Sequence, residues 1–75
     1  MKVYITFGQI HVHSVNGKTF NKDCVAVINC NDYLDGREKA FELFGDKWHM
    51  CYHEDDFKEE IMHYFPRGKI VVNPV

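Results

Sequence analysis

Two alternating runs carry most of the side chains able to do chemistry. In "TFGQIHVHSVNG", Thr6 to Gly17, His11 and His13 stand two apart; in "KWHMCYH", Lys47 to His53, His49, Cys51 and His53 repeat that spacing. Residues two apart on a strand share one face. A sheet can offer paired imidazoles to zinc in this way, and if the two runs were neighbours, His11, His13 and His49 or His53 could converge on one ion. The paired Cys-x-x-Cys spacing of common structural sites is missing. The expectation is therefore no bound metal and no cofactor, with a small zinc-binding domain as the alternative. Cys51 lies between two histidines in sequence, yet neighbours on one strand face stand about 7 Å apart. That is too far for a thiolate–imidazole hydrogen bond, and no third orienting group is evident. Ser14 is the only serine, and there is no glycine-rich phosphate loop. No catalytic residue is expected. What remains for the histidines is recognition, since a neutral imidazole both donates and accepts hydrogen bonds. A second candidate surface is acidic: Glu54, Asp55, Asp56, Glu59 and Glu60 are relieved only by Lys58. Charge of this kind speeds encounter and sets orientation more than it adds affinity. The residues expected to contact a partner are Gln9, His11, His13, Asp55, Asp56 and Glu59.

These side chains need elements to hold them. Val3, Ile5 and Phe7 share one parity and Ile10 and Val12 the other, which predicts a β-bulge at Gly8-Gln9 that keeps all five on the core face. Tyr4, Thr6, His11 and His13 would then face outward. Asn16-Gly17 is a hairpin signal, but Lys18 to Asp23 do not alternate cleanly, so a wide, structured hairpin loop is expected, with Asn16-Gly17 at its tip and Phe20 folded back onto the core. "CVAVINC", Cys24 to Cys30, is apolar on both faces and suits a central strand. Asn31 and Asp32 offer helix N-caps. Tyr33, Arg37, Ala40, Phe41 and Phe44 follow at helical spacing, weakened by Gly36 and stopped at Gly45. Trp48, Met50 and Tyr52 face one way on the next strand. "EDDFKEEIMHYFP" predicts a short second helix ended by Pro66, and Gly68 to Asn73 a last strand. The reading is one α+β domain over residues 1–75: a small antiparallel-dominated sheet in β-β-α-β-α-β order, with one main helix packed on one face. Its core should include Val3, Ile5, Ile10, Val12, Val25, Val27, Phe41, Phe44 and Trp48.

Composition narrows function by exclusion. The chain is 45% hydrophobic and 15% aromatic, ample for a core, so disorder is not expected. A net charge of −2 argues against direct nucleic-acid binding through phosphate. No apolar run approaches the roughly 20 residues that span a bilayer, and no signal-peptide core follows Met1-Lys2. Cys24, Cys30 and Cys51 are an odd set, read as reduced thiols in a cytoplasm.

Four strings, "TFGQIHVH", "GKTFNKD", "AFELFGDKW" and "YFPRG", are spread along nearly the whole chain, from Thr6 to Gly68. In them the sequence resembles a group of small accessory proteins encoded by phages and mobile elements. The shared features are Thr6 to Gln9, Gly17 to Asp23, Phe41 to Trp48 and Tyr64 to Gly68. The resemblance implies a phage or prophage origin and a one-domain α+β fold, and it carries no catalytic residue across. Proteins of this size and origin often block a host protein. The leading expectation is thus a non-enzymatic protein that binds a host or phage protein in the host cytoplasm, as an anti-CRISPR-like inhibitor of a host defence system. A module that self-associates through an edge strand stands beside the zinc domain as an alternative.

Overall fold

A strand that is apolar at every position must be covered on both faces, and "CVAVI" is covered so. The computed structural model describes residues 1–15 and 17–72. Its elements are β1 (Lys2–Thr6), β2 (His13–Val15), β3 (Lys18–Phe20), β4 (Cys24–Asn29), α1 (Tyr33–Phe44), β5 (Met50–His53), two 3-10 turns (Glu54–Asp56 and Glu59–Tyr64) and β6 (Gly68–Val72). The main sheet has the order β5-β1-β4-β6. β1 runs antiparallel to β4 and β5, and β6 joins β4 in parallel. The fold is α+β, as the sequence predicts, with one α-helix among the described residues packed on the sheet.

On the helix side, Val3, Ile5, Phe7, Cys24, Ala26, Ile28 and Cys51 meet Ala40 and Phe44 of α1 and Phe20 of β3. Phe44 sits edge-on to Phe7 at 5.0 Å and near Phe20 at 5.2 Å. The opposite face carries Tyr4, Val25, Val27 and Tyr52 by register. There Phe57 is buried, stacks on Tyr4 at 4.4 Å and meets Tyr52 at 5.7 Å.

That anchor explains a correction. The segment after β5 is not a second α-helix. Phe57 and Lys58 are extended between the two 3-10 turns, because burying the Phe57 ring pulls the chain out of helical spacing. Five carboxylates at helical separations would also repel one another.

The helix itself is specified locally. The Asp32 carboxylate accepts from the Asp35 N–H at 2.8 Å, and Asp35 accepts from the Asn31 N–H at 2.9 Å. This reciprocal arrangement satisfies donors at the N-terminus. Gly45 ends the helix at φ 61. Gly36 is buried: a Cβ there would lie 2.6 and 2.7 Å from the two Val3 methyls and 3.0 Å from Cys30 Sγ. Absence of a side chain is what lets the helix approach the sheet.

Of the residues expected to share one core, Val25 and Val27 are buried on the opposite face of the sheet, and three more lie outside any core. Ile10 and Val12 are 83% and 61% exposed. No bulge carries β1 onward; the strand ends at Thr6, Phe7 turns into the aromatic cluster, and Gly8 at φ 67 opens a turn. Phe41 is half exposed, because α1 rests on the sheet through Gly36, Ala40 and Phe44 instead. It packs on partly buried Trp48, 5.1 Å between rings. Thr6, expected outside, is buried beneath the turn.

A hairpin forms as expected, but it is regular rather than wide: β2 and β3 pair with Ser14 opposite Thr19 and Val15 opposite Lys18. Gly17 has φ 80, and Phe20 is fully buried as expected. The predicted role of Asn16, and of Asn73 in the last strand, falls outside the described residues. Beyond Phe20 alternation stops because the Asn21 side chain accepts from the Asp23 N–H at 2.9 Å and turns the chain.

Candidate functional site

The turn opened by Gly8 builds one side of a groove. A left-handed backbone there suits glycine, and a Cβ would press on His49 at 3.3 Å. The turn lifts Gln9, Ile10 and His11 off the sheet. Ile61, Tyr64 and Phe65 come from the second 3-10 turn and its end. Thr6 and Tyr52 share the sheet face between, and His49 and Lys22 complete the lining of a groove of about 560 Å³. The His49 backbone is tied to β1 by an N–H donated to the Thr6 carbonyl at 2.8 Å. Ile10 and Tyr64, the latter 68% exposed, stand largely in solvent. Lys22 Nζ lies 3.7 Å from an Asp23 carboxylate oxygen, an exposed pair of the kind worth little.

The structure divides the expected site. Gln9 and His11 line the groove. His13 does not share their face, and the single outward face predicted for the three residues does not exist. His13 is half buried, its ring 5.7 Å from Phe44. Its Nε2 lies 3.1 Å from the Leu43 carbonyl, and only the imidazole can donate in that pair. No basic side chain belongs to the last turn of α1, so the imidazole serves as a cap on that end of the helix.

His11, His13, His49 and His53 do not converge on one point: His11 and His49 both line the groove, while His13 and His53 lie elsewhere. His53 is on the helix side of the sheet, stacked with Tyr33 at 6.4 Å, and its Nδ1 accepts from the Asp55 N–H at 3.1 Å. Among the described residues, no three histidine, cysteine or acidic side chains come together to hold a metal.

The acidic stretch is surface. Asp55, Asp56 and Glu59 are exposed, and Glu59 is ion-paired with Lys69 of β6. That hydrogen bond raises the Lys69 ammonium above its ordinary range, and Lys69 also sits 5.5 Å from the Tyr4 ring centre. None of the three acidic residues lines the groove.

Cys24, Cys30 and Cys51 are free and buried. Burial pushes the Cys30 and Cys51 thiols up, which holds them in the less nucleophilic protonated form. The Tyr33 hydroxyl is pushed up by burial too, and it donates to the Cys51 carbonyl at 2.8 Å.

Sequence reasoning missed Ile10, Lys22, Ile61, Tyr64 and Phe65 as groove residues. The available signal was the change of parity at Gly8, which marks a turn as well as it marks a bulge.

Fold and groove together define a small α+β domain with a recess between a glycine turn and a 3-10 segment. Neither a protein-family model, nor a curated protein, nor a solved structure matches the chain. Among the described residues no helix is long and apolar enough to cross a membrane.

Proposed function

We propose that this chain is a non-catalytic binding module that docks another protein in the groove. The observation that carries the reading is the pair Ile10 and Tyr64, exposed beside a recess already lined by Tyr52, Ile61 and Phe65. Such side chains add almost no burial to the monomer, whereas large apolar groups that become desolvated at the centre of an interface supply most of its binding energy. Gln9, His11 and His49 add donors and acceptors that fix orientation. Asp55 and Asp56 lie outside the recess and act on approach, through charge. The resemblance to phage accessory proteins supports the setting: a host or phage protein as partner, and inhibition of a host defence system as the result.

The test pairs affinity with stability. Tagged protein captures its partner from host lysate, the partner is identified and purified, and its affinity is measured for wild type and for Ile10→Ala with Tyr64→Ala. The double variant should bind at least about tenfold more weakly while its unfolding free energy stays within about 0.5 kcal/mol of wild type. Unchanged affinity would remove the groove from the interface.

A further inference from the structure

The groove differs in charge from the molecule that carries it. The chain holds 11 acidic and 9 basic residues, yet no carboxylate is among the groove's described lining residues, which include Lys22, His11 and His49. The carboxylates gather instead on the 54–60 ribbon and along α1. The polar side-chain groups in the recess are an ammonium, two imidazoles, an amide and the hydroxyls of Thr6, Tyr52 and Tyr64. An ammonium only donates, and an imidazole N–H donates most strongly to an ionised acceptor. Alongside them, Ile10, Tyr52, Ile61, Tyr64 and Phe65 offer an apolar surface. A volume of about 560 Å³ falls within the range of roughly 300–1,000 Å³ that holds a compact ligand, enough for one bulky side chain with its flanking backbone.

We infer that the groove takes an acidic peptide segment: a large apolar side chain seated among Ile10, Tyr64 and Phe65, with a neighbouring carboxylate of the partner met by Lys22 and the imidazoles. This rests on the docking reading above and names the chemistry of what docks. A nucleic acid would find the same three cationic or cationisable groups. It would also have to extend across a surface of net negative charge that includes the 54–60 ribbon, and phosphate binding needs many neutralised charges. A peptide needs one pocket and one carboxylate. The Lys22–Asp23 pair does not compete strongly, being long and exposed.

Random peptide display on the intact chain tests this, followed by titration of the enriched peptides against wild type, Lys22→Glu, and Ile10→Ala with Tyr64→Ala. Enriched peptides should carry Asp or Glu beside a large apolar residue. Their affinity should fall at least about tenfold in each variant; for wild type it should also fall as salt rises, a dependence that Lys22→Glu removes. Neutral or basic peptides that lose affinity only in the Ile10/Tyr64 variant would overturn the acidic assignment and leave the docking groove standing. Peptides indifferent to both variants, or a selection that enriches nothing, would overturn both. Tighter groove binding by a thymidine oligonucleotide than by any peptide would also overturn the inference.

Discussion

Gly36→Ala is the sharpest test of how α1 meets the sheet. By propensity alone the change should stabilise: alanine is better than glycine inside a helix by about 0.8–1.0 kcal/mol. The structure reverses the sign. The new methyl would sit 2.6 and 2.7 Å from the Val3 methyls, about 1 Å inside the optimum of roughly 3.5–4.0 Å for carbon atoms. Val3 is fully buried in β1 between β4 and β5, and so has nowhere to move. Overpacking of this kind costs about 1–3 kcal/mol, occasionally more. With two methyls and a sulfur in the way, the upper part of that range applies. The net expectation is a loss of about 1–2 kcal/mol, or roughly 4–8 °C in Tm for each kcal/mol lost in a domain of this size. Urea unfolding followed by helical circular dichroism measures it, with an unchanged m-value to show that the transition is the same. Val3→Ala alone should cost about 2 kcal/mol through lost burial and a cavity. In that background Gly36→Ala should become neutral or stabilising, a coupling of at least about 1 kcal/mol between touching residues. If Gly36→Ala raises stability in the wild-type background, the close approach of helix to sheet is wrong.

Three further outcomes follow from named contacts. His13→Ala should lose about 1–2 kcal/mol in the same urea assay, because the Leu43 carbonyl loses its donor and Phe44 an edge-on ring; His13→Gln, which keeps a donor, should recover part of this, and neither should alter partner affinity. Phe44→Ala should cost about 3–5 kcal/mol, whereas Phe41→Ala should cost no more than about 2 kcal/mol; equal losses would contradict the placement of α1. The Asn31 N–H first, and Lys39 second, hold the Asp35 carboxyl below the usual carboxylate range. Its folded value is lowered, so its contribution is present above an unfolded value of roughly 3.9 and is lost as pH falls through the lower folded value. Asp35→Asn should therefore lower stability at neutral pH and flatten the acid limb of a stability–pH curve, and a parallel downward shift of that curve would refute the assignment.

Local signals in the sequence were reliable where one neighbour decides the structure. Asp32 caps α1 because its carboxylate reaches an N–H three residues on, and Gly45 stops it because a positive φ suits glycine. "CVAVI" announced a strand covered on both faces. The failures all involve a choice that tertiary packing makes. Gly8 marks a change of parity, and only the insertion of Phe7 against Phe20 and Phe44 makes it a turn. That single decision moved Ile10 and Val12 from core to surface and separated His13 from Gln9 and His11. Gly36 reads as a defect in a helix until Val3 is placed beneath it. "EDDFKEEIMHYF" has a helical pattern, but Phe57 belongs to the sheet. Half of the groove, Gln9 and His11, was visible as polar residues beside a glycine. The other half, Ile61, Tyr64 and Phe65, comes from a distant segment whose position no periodicity records.

The parallel pairing of β4 with β6 also governs the order in which the domain can assemble. Cys24 lies opposite Gly68 and Ile28 opposite Val72, so this ladder closes a loop that contains α1, β5 and both 3-10 turns. Local elements, α1 and the β2–β3 hairpin, can form early, whereas this ladder must wait for the entropic cost of bringing distant segments together. The joint is then locked by the Arg67 N–H on the Asp23 carbonyl at 2.8 Å and by its guanidinium on the Thr19 carbonyl at 2.6 Å. Until that moment "CVAVI" is an apolar strand with one open edge, the kind of segment that pairs with copies of itself. A chain cut between β5 and β6 should for that reason aggregate rather than persist as a loosened monomer, and a synthetic Gly68–Val72 peptide supplied in excess should delay it.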